Sequence, residues 1–335
     1  MKPWSRRKFT ISSIYSMFAT TIGVHKLPHN TKSKVGIVKV GPGGREEAIL
    51  RAAMLIELSN LSKYFVALKP NLCCDKEYPY SSHIDTIDVL VRMIKGLAAS
   101  KVVIADRSIQ GITRNIMSDK GILQLAQHHY CDILPLDELD QIEDWIHIDF
   151  ADLHWNQGFY LARIFNEVNA IIQTCCLNTY DLGVNYSLSL GTSIGMIAET
   201  VPGLRHNFMD ELNTSNIRHN MIAEINLSFQ PLLVILDAIE YYSSHNNNHS
   251  RLVTPGVILA SSDRVAIDTV AIAIIKYFTN SSAISEEFNL KLDQLAWAAE
   301  IGLGINNPRM IDLITSDQAS LSFANSIQPI LHELF

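Results

Sequence analysis

Short, near-continuous apolar runs recur along the chain, and each stops at a small polar cluster. Residues 34–40 alternate as a first strand and meet Gly41-Pro42-Gly43-Gly44. Run 64–68 ends in Lys69-Pro70-Asn71, 101–105 in Asp106-Arg107-Ser108, and 170–174 in Cys175-Cys176-Leu177-Asn178. Run 232–236 ends in Asp237, and 256–260 in Ser261-Ser262-Asp263. Runs of this kind are what strands covered on both faces look like, so the pattern predicts a mostly parallel sheet. Apolar residues at helical spacing predict helices over 45–61, 84–97, 121–129, 268–277 and 293–301. The stretch 198–226 reads as a mostly helical insert that caps the sheet. Alternation of strand and helix gives the α/β class, with helices on both faces of the sheet.

Length sets the organisation. The chain has 335 residues, more than one hydrophobic core usually organises, so residues 34–330 are expected to form one large α/β domain or two lobes. Hydrophobic residues at 47% and charged residues at 18% are a globular composition. A net charge of −7 without a basic stripe argues against nucleic acid as a partner, because phosphate binding needs clustered Lys and Arg.

Residues 1–33 read differently, as an export leader and linker. Ser5-Arg6-Arg7-Lys8-Phe9 precedes a weakly apolar run over 10–23, and no acidic residue occurs before Glu46. Charged-then-apolar order with paired arginines fits a twin-arginine leader and predicts a periplasmic or extracytoplasmic location. No small-x-small cleavage site follows, so an uncleaved leader would leave the protein associated with the membrane. The competing reading is an ordinary basic amino terminus.

In an open parallel sheet, ligands sit at the carboxyl ends of the strands, where loops converge and helix amino termini point inward. The predicted strand tips bring Lys69, Asn71, Asp106, Ser108, Cys175, Cys176, Asn178, Asp237 and Asp263 to that edge. Lys69 and Asn71 would orient a small-molecule ligand, and Asp106 and Asp237 would act as general bases or metal-ligand oxygens. The bland alternative for each aspartate is a helix cap, which suits Asp263 best because a helical run starts directly behind it. The glycine turn at 41–44 lacks the Gly-Lys-Ser/Thr ending of a phosphate loop and reads as a plain tight turn. Cys73, Cys175 and Cys176 are candidate soft-metal ligands, with core packing as the competing explanation. The five cysteines include no C-x-x-C pair, and His245 and His249 sit in an Asn-rich stretch that reads as a solvated turn.

The strand tips resemble a known group. Val66-Ala67-Leu68-Lys69-Pro70-Asn71, Cys175-Cys176-Leu177-Asn178-Thr179 and Ser193-Ile194-Gly195-Met196 are similar to segments of the domain-of-unknown-function 362 family. So are Met221 to Leu227, Val234-Ile235-Leu236-Asp237, Ala260 to Asp268 and Gly302-Leu303-Gly304. The resemblance spans roughly residues 34–315 and adds Thr179 to the ligand-binding candidates. It implies a twin-arginine leader and, in some members, a ferredoxin-type domain. No such cysteine spacing occurs here, so no intrinsic iron–sulfur cluster is expected.

The departures carry information. Similar members read Leu-Lys-Thr-His-Arg across 177–181 and Ser-Leu-Lys-Asn-Ser across 189–193. Here those positions include Asn178, Tyr180, Asp181, Gly191 and Thr192. Losing four cationic groups removes charge-assisted contacts worth about 1.5–3 kcal/mol each to an anionic ligand. Three readings follow: an exported ligand binder or oxidoreductase-type enzyme, a non-catalytic scaffold that keeps the fold, and a cysteine-based metal-binding protein.

Overall fold

The computed structural model describes residues 32–58, 60–150, 152–177, 188–243, 251–279 and 286–334. The predicted leader, Asn178, Thr179 and the His245–His249 turn lie outside them. The strands are β1 (Ser33–Lys39), β2 (Phe65–Lys69), β3 (Lys101–Asp106), β4 (Asp132–Pro135), β5 (Trp145–Ile148), β6 (Phe159–Ala162), β7 (Ala170–Cys176), β8 (Leu233–Ala238), β9 (Tyr241–Ser243), β10 (Arg251–Val253), β11 (Val257–Ser261) and β12 (Ile311–Ile314). The helices are α1 (Gly44–Leu55), α2 (Ile84–Gly96), α3 (Thr113–Asp119), α4 (Ile122–His128), α5 (Ile164–Glu167), α6 (Phe208–Thr214), α7 (Arg218–Ile225), α8 (Arg264–Thr279), α9 (Glu286–Glu300) and α10 (Gln318–His332).

Eight strands form the central sheet in the order β12-β1-β11-β8-β7-β2-β3-β4. All neighbours pair in parallel except β11, which runs antiparallel to both β1 and β8. The α/β class and the mostly parallel sheet expected from the apolar runs are therefore correct. Strands β7 and β8 are buried along their whole length, which explains why their sequences do not alternate. One face of the sheet packs Leu68, Ile172 and Ile235 against Ile49 of α1 and Leu90 of α2. The other packs Val234 and Leu236 against α8, and Ala67 and Ile171 against α7 and Ile194.

Local chemistry sets the helix ends. His83 caps α2 by accepting the Asp85 N–H at 3.1 Å, and Ile87, Leu90, Val91 and Ile94 form its buried stripe. Helix α8 is buried from Arg264 to Ile275, so its apolar residues run all round it and it starts earlier than its apolar spacing suggests. Helix α1 stops at Leu55, short of the predicted 61. The insert at 198–226 holds only the short helices α6 and α7, at its carboxyl-terminal end. No helix among the described residues is long and apolar enough to cross a membrane.

Candidate functional site at the carboxyl edge of the sheet

Because β2, β3, β7 and β8 are parallel, Lys69, Asp106, Cys175, Cys176 and Asp237 do reach one edge. Asp263 does not. Its strand, β11, is the reversed one, so Asp263 lies at the opposite edge beside Ser33, where β1 begins. There it caps α8, accepting the N–H groups of Val265 at 2.9 Å and Ala266 at 3.0 Å. It also takes the Ser33 hydroxyl at 2.5 Å and the Ile305 N–H at 3.0 Å. Its assignment to a shared ligand site is corrected to a structural one, because strand direction decides the edge.

The innermost feature of the carboxyl edge is an ion pair. Lys69 Nζ stands 2.7 Å from Asp106 Oδ1, and each side chain is 1% exposed. Lys69 also donates to the Pro70 carbonyl at 2.7 Å. Asp106 accepts the backbone N–H of Leu72 at 2.9 Å and of Arg107 at 2.8 Å. Burial lowers the Lys69 pKa and raises that of Asp106, while their mutual attraction opposes both shifts. Gly195 lies directly over the pair: a Cβ there would overlap Asp106 Oδ1 and stand 3.1 Å from Lys69 Nζ. Arg107, buried beside them, donates to the carbonyls of Ile194, Ile197 and Ser108 and so fastens the 191–197 segment to β3.

A second polar cluster surrounds Asp237, which is 1% exposed. Arg45, from the first turn of α1, forms a very short ion pair with it. Tyr78 donates its hydroxyl at 2.9 Å, Thr86 of α2 donates at 3.0 Å, and the Ile239 N–H lies at 3.2 Å. The Arg45 guanidinium also sits over the Tyr78 ring, 4.6 Å from its centre. Burial disfavours the Arg45 charge, but attraction to Asp237 and Tyr78 outweighs it and raises the pKa. For Tyr78, burial and then Asp237 push the phenol upward. Arg45 keeps 15% of its side chain exposed, so this cluster borders solvent and the Lys69–Asp106 pair does not.

The two clusters share an edge, and Lys69 and Asp237 leave their strands on opposite faces. Asp237 continues the Leu233, Ile235 row that packs on α1 and α2. Lys69 continues from Ala67 on the face of Ile194 and Met196. Alternation sets these two directions, whereas Asp106 follows Val102 and Ile104 on the face of Asp237 and meets Lys69 at the strand ends. Segment 70–83 crosses the edge between them, supplying the Leu72 N–H to one cluster and Tyr78 to the other.

The remaining candidates are mostly internal. Asn71 holds that crossing segment closed: its N–H donates to Ser82 Oγ at 2.9 Å and its carbonyl accepts the Ser82 N–H at 2.8 Å. Ser108 donates to the Gln110 carbonyl at 2.9 Å within the turn before α3. Cys175 packs into the cluster under α8, whereas Cys176 donates to the Ser81 carbonyl at 3.4 Å on the other face. Burial pushes both thiols up. Cys73 and Cys74 have their sulfurs 3.5 Å apart. Among the described residues no group of three or more His, Cys, Asp or Glu is placed to hold a metal. The proposed set Cys73, Cys175 and Cys176 therefore does not form a centre, for the alternation reason that separates Cys175 from Cys176.

Sequence reasoning missed Arg45, Tyr78, Thr86 and Arg107. The position of Arg45 at the start of a helix behind a glycine turn was the available signal, since that turn points at the carboxyl edge. The segment that resembles family members over 188–196 is pinned by Asp268, which accepts the N–H groups of Ser189 at 2.8 Å and Leu190 at 3.0 Å. Asn226 donates to the Leu190 carbonyl at 3.1 Å and to Ser193 Oγ at 3.0 Å. Gly191 and Thr192 are buried there.

No curated protein matches the chain. The model of the family described as a domain of unknown function (DUF362) matches residues 66–273, a span that runs from β2 through most of α8 and includes Lys69, Asp106, Cys176 and Asp237. The chain belongs to the domain-of-unknown-function 362 family.

Proposed function

We propose that this protein is an extracytoplasmic ligand binder whose site is the Asp237–Arg45–Tyr78 cluster at the carboxyl edge of the sheet. The observation that carries the reading is the convergence of three side-chain donors, from α1, α2 and segment 70–83, on one buried carboxylate whose Arg45 partner borders solvent. A buried ion pair contributes little net stability over apolar packing, so a fold gains little by keeping one at its surface edge. Arg45 and Asp237 neutralise each other, as do Lys69 and Asp106. Such an edge suits a small polar ligand carrying at most one negative charge. The absence of the lysines, histidine and arginine found in similar members at 178–191 supports the same limit. The Arg6-Arg7 leader supports export.

A thermal-shift screen of monocarboxylates, amino acids and neutral sugars, set beside dianions and trianions, tests this. Singly charged or neutral compounds are expected to raise the Tm of the native chain and not of Asp237→Asn or Arg45→Gln. A second reading, a scaffold that retains the fold without a ligand, is favoured by the internal pairing of every one of these charges. No stabilisation of the native chain by any compound would support the scaffold and exclude the binder.

A further inference from the structure

Segment 70–83 carries chemistry that ligand binding at Asp237 does not use. Cys73 and Cys74 are consecutive, yet their sulfurs lie 3.5 Å apart in an S–H···S contact rather than pointing to opposite sides. The backbone around them is fixed. The Cys73 carbonyl accepts the N–H groups of Ile109 and Gln110, both at 3.1 Å, and the Cys74 carbonyl accepts the Ser81 hydroxyl at 3.1 Å. Just beyond, the Lys120 ammonium donates to the carbonyls of Asp75 at 3.1 Å and Lys76 at 2.7 Å, closing the turn with a cation. Cys73 is partly exposed and Cys74 is buried beneath it. The other thiols at this edge, Cys175 and Cys176, are buried.

We propose that Cys73 and Cys74 form a two-electron redox site that exchanges with small disulfides and closes to a vicinal disulfide. Cys74 takes the Cys73 proton across their 3.5 Å contact, and the solvent-facing sulfur of Cys73, now a thiolate, attacks one sulfur of the small disulfide. The S–S bond of the reagent breaks, a mixed disulfide forms on Cys73, and one thiolate leaves. Cys74 gives that proton to the departed thiolate and attacks the Cys73 sulfur of the mixed disulfide, releasing a second thiolate that takes its proton from water. The protein dithiol is oxidised and the small disulfide is reduced to two thiols. Closure shortens the sulfur separation from 3.5 Å to about 2.05 Å. Contact with Cys73 is the main cause that lowers the Cys74 thiol pKa from 9.0 to about 6. The same contact and burial raise that of Cys73, whose S–H also donates to the Tyr80 carbonyl at 3.3 Å. Cys74 is therefore the thiolate that serves as base for Cys73. The Lys120 ammonium acts in the same direction on Cys74. This activity stands apart from the Asp237 reading, since no residue of that cluster takes part.

The test treats the folded full chain with oxidised glutathione, blocks free thiols by alkylation, and maps the peptide containing Cys73 and Cys74 by mass spectrometry without reduction. The native peptide is expected to be lighter by two hydrogens and unalkylated. Cys74→Ser is expected to stop at a glutathionyl adduct on Cys73. Cys73→Ser, which leaves only the buried sulfur, is expected to react at least about tenfold more slowly. Circular dichroism confirms that each variant is folded. The proposal is overturned if both native cysteines remain alkylatable, if native protein stops at the glutathionyl adduct, or if the oxidised sulfur is found bridged to Cys176.

Discussion

The Lys69–Asp106 pair offers the sharpest energetic test of how this edge is built. Lys69→Met removes the ammonium but keeps the length of the side chain. It leaves Asp106 at 1% exposure with only the Leu72 and Arg107 N–H groups as partners. Breaking a buried pair from one side costs about 3–5 kcal/mol, because the surviving charge stays buried without its counter-ion. The two remaining N–H donors place the loss near the lower bound, about 3 kcal/mol. Asp106→Asn should cost a similar amount by leaving the Lys69 ammonium buried with only neutral oxygens, such as the Pro70 carbonyl, as partners. In the double variant neither charge remains, so its loss should be close to that of one single variant. The two sites then couple by about 2–3 kcal/mol, the upper end of what contacting residues show. Urea denaturation followed by circular dichroism measures all four corners of the cycle. Single-variant losses under about 1 kcal/mol, as for an exposed pair, or losses that simply add, would refute the reasoning.

Other outcomes follow from the same packing. Gly195→Ala forces a Cβ into Asp106 Oδ1, to 2.9 Å from the Arg107 carbonyl, and should destabilise the fold by about 1–3 kcal/mol in the same denaturation assay. Asp268 has its carboxyl pushed from 3.8 up to about 6, chiefly by burial. The folded chain thus holds that proton more tightly than the unfolded chain does. Its stabilising contribution is complete below pH 3.8 and is lost as pH rises to about 6, a change of about 3 kcal/mol. Subtracting the stability curve of Asp268→Asn from that of the native chain should reveal this slope, and a flat difference would contradict it. Asp263→Ala removes the cap of α8 and should cost about 1–2 kcal/mol, with no effect on ligand-induced shifts because the residue lies at the far edge.

The apolar runs were a good guide to the sheet because strands covered on both faces must be apolar throughout. All six runs became strands within a residue or two of their predicted limits. Direction was not legible. Nothing in the composition of Val257–Ser261 distinguishes an antiparallel central strand from its parallel neighbours, and so Asp263 was assigned to the wrong edge. The face a residue leaves from was legible in principle, since alternation from Ala67 to Lys69 and from Ile235 to Asp237 follows from strand geometry. Which face each row packs on depends on helix placement, and that emerges only in three dimensions. Tyr78 and Arg45 were hidden for a related reason: each reaches Asp237 across a sequence separation greater than 150 residues. The edge strands β4 and β12, each four residues long, were missed because short partly exposed strands lack a continuous apolar run.

Isothermal titration of the most stabilising compound from the screen into native protein, Arg45→Gln and Lys69→Met tests the central claim most directly. Binding by the native chain and by Lys69→Met, with loss in Arg45→Gln, is the predicted result, because only the Arg45–Asp237 cluster borders solvent. Undiminished binding by Arg45→Gln would contradict the account and move the site elsewhere on the molecule.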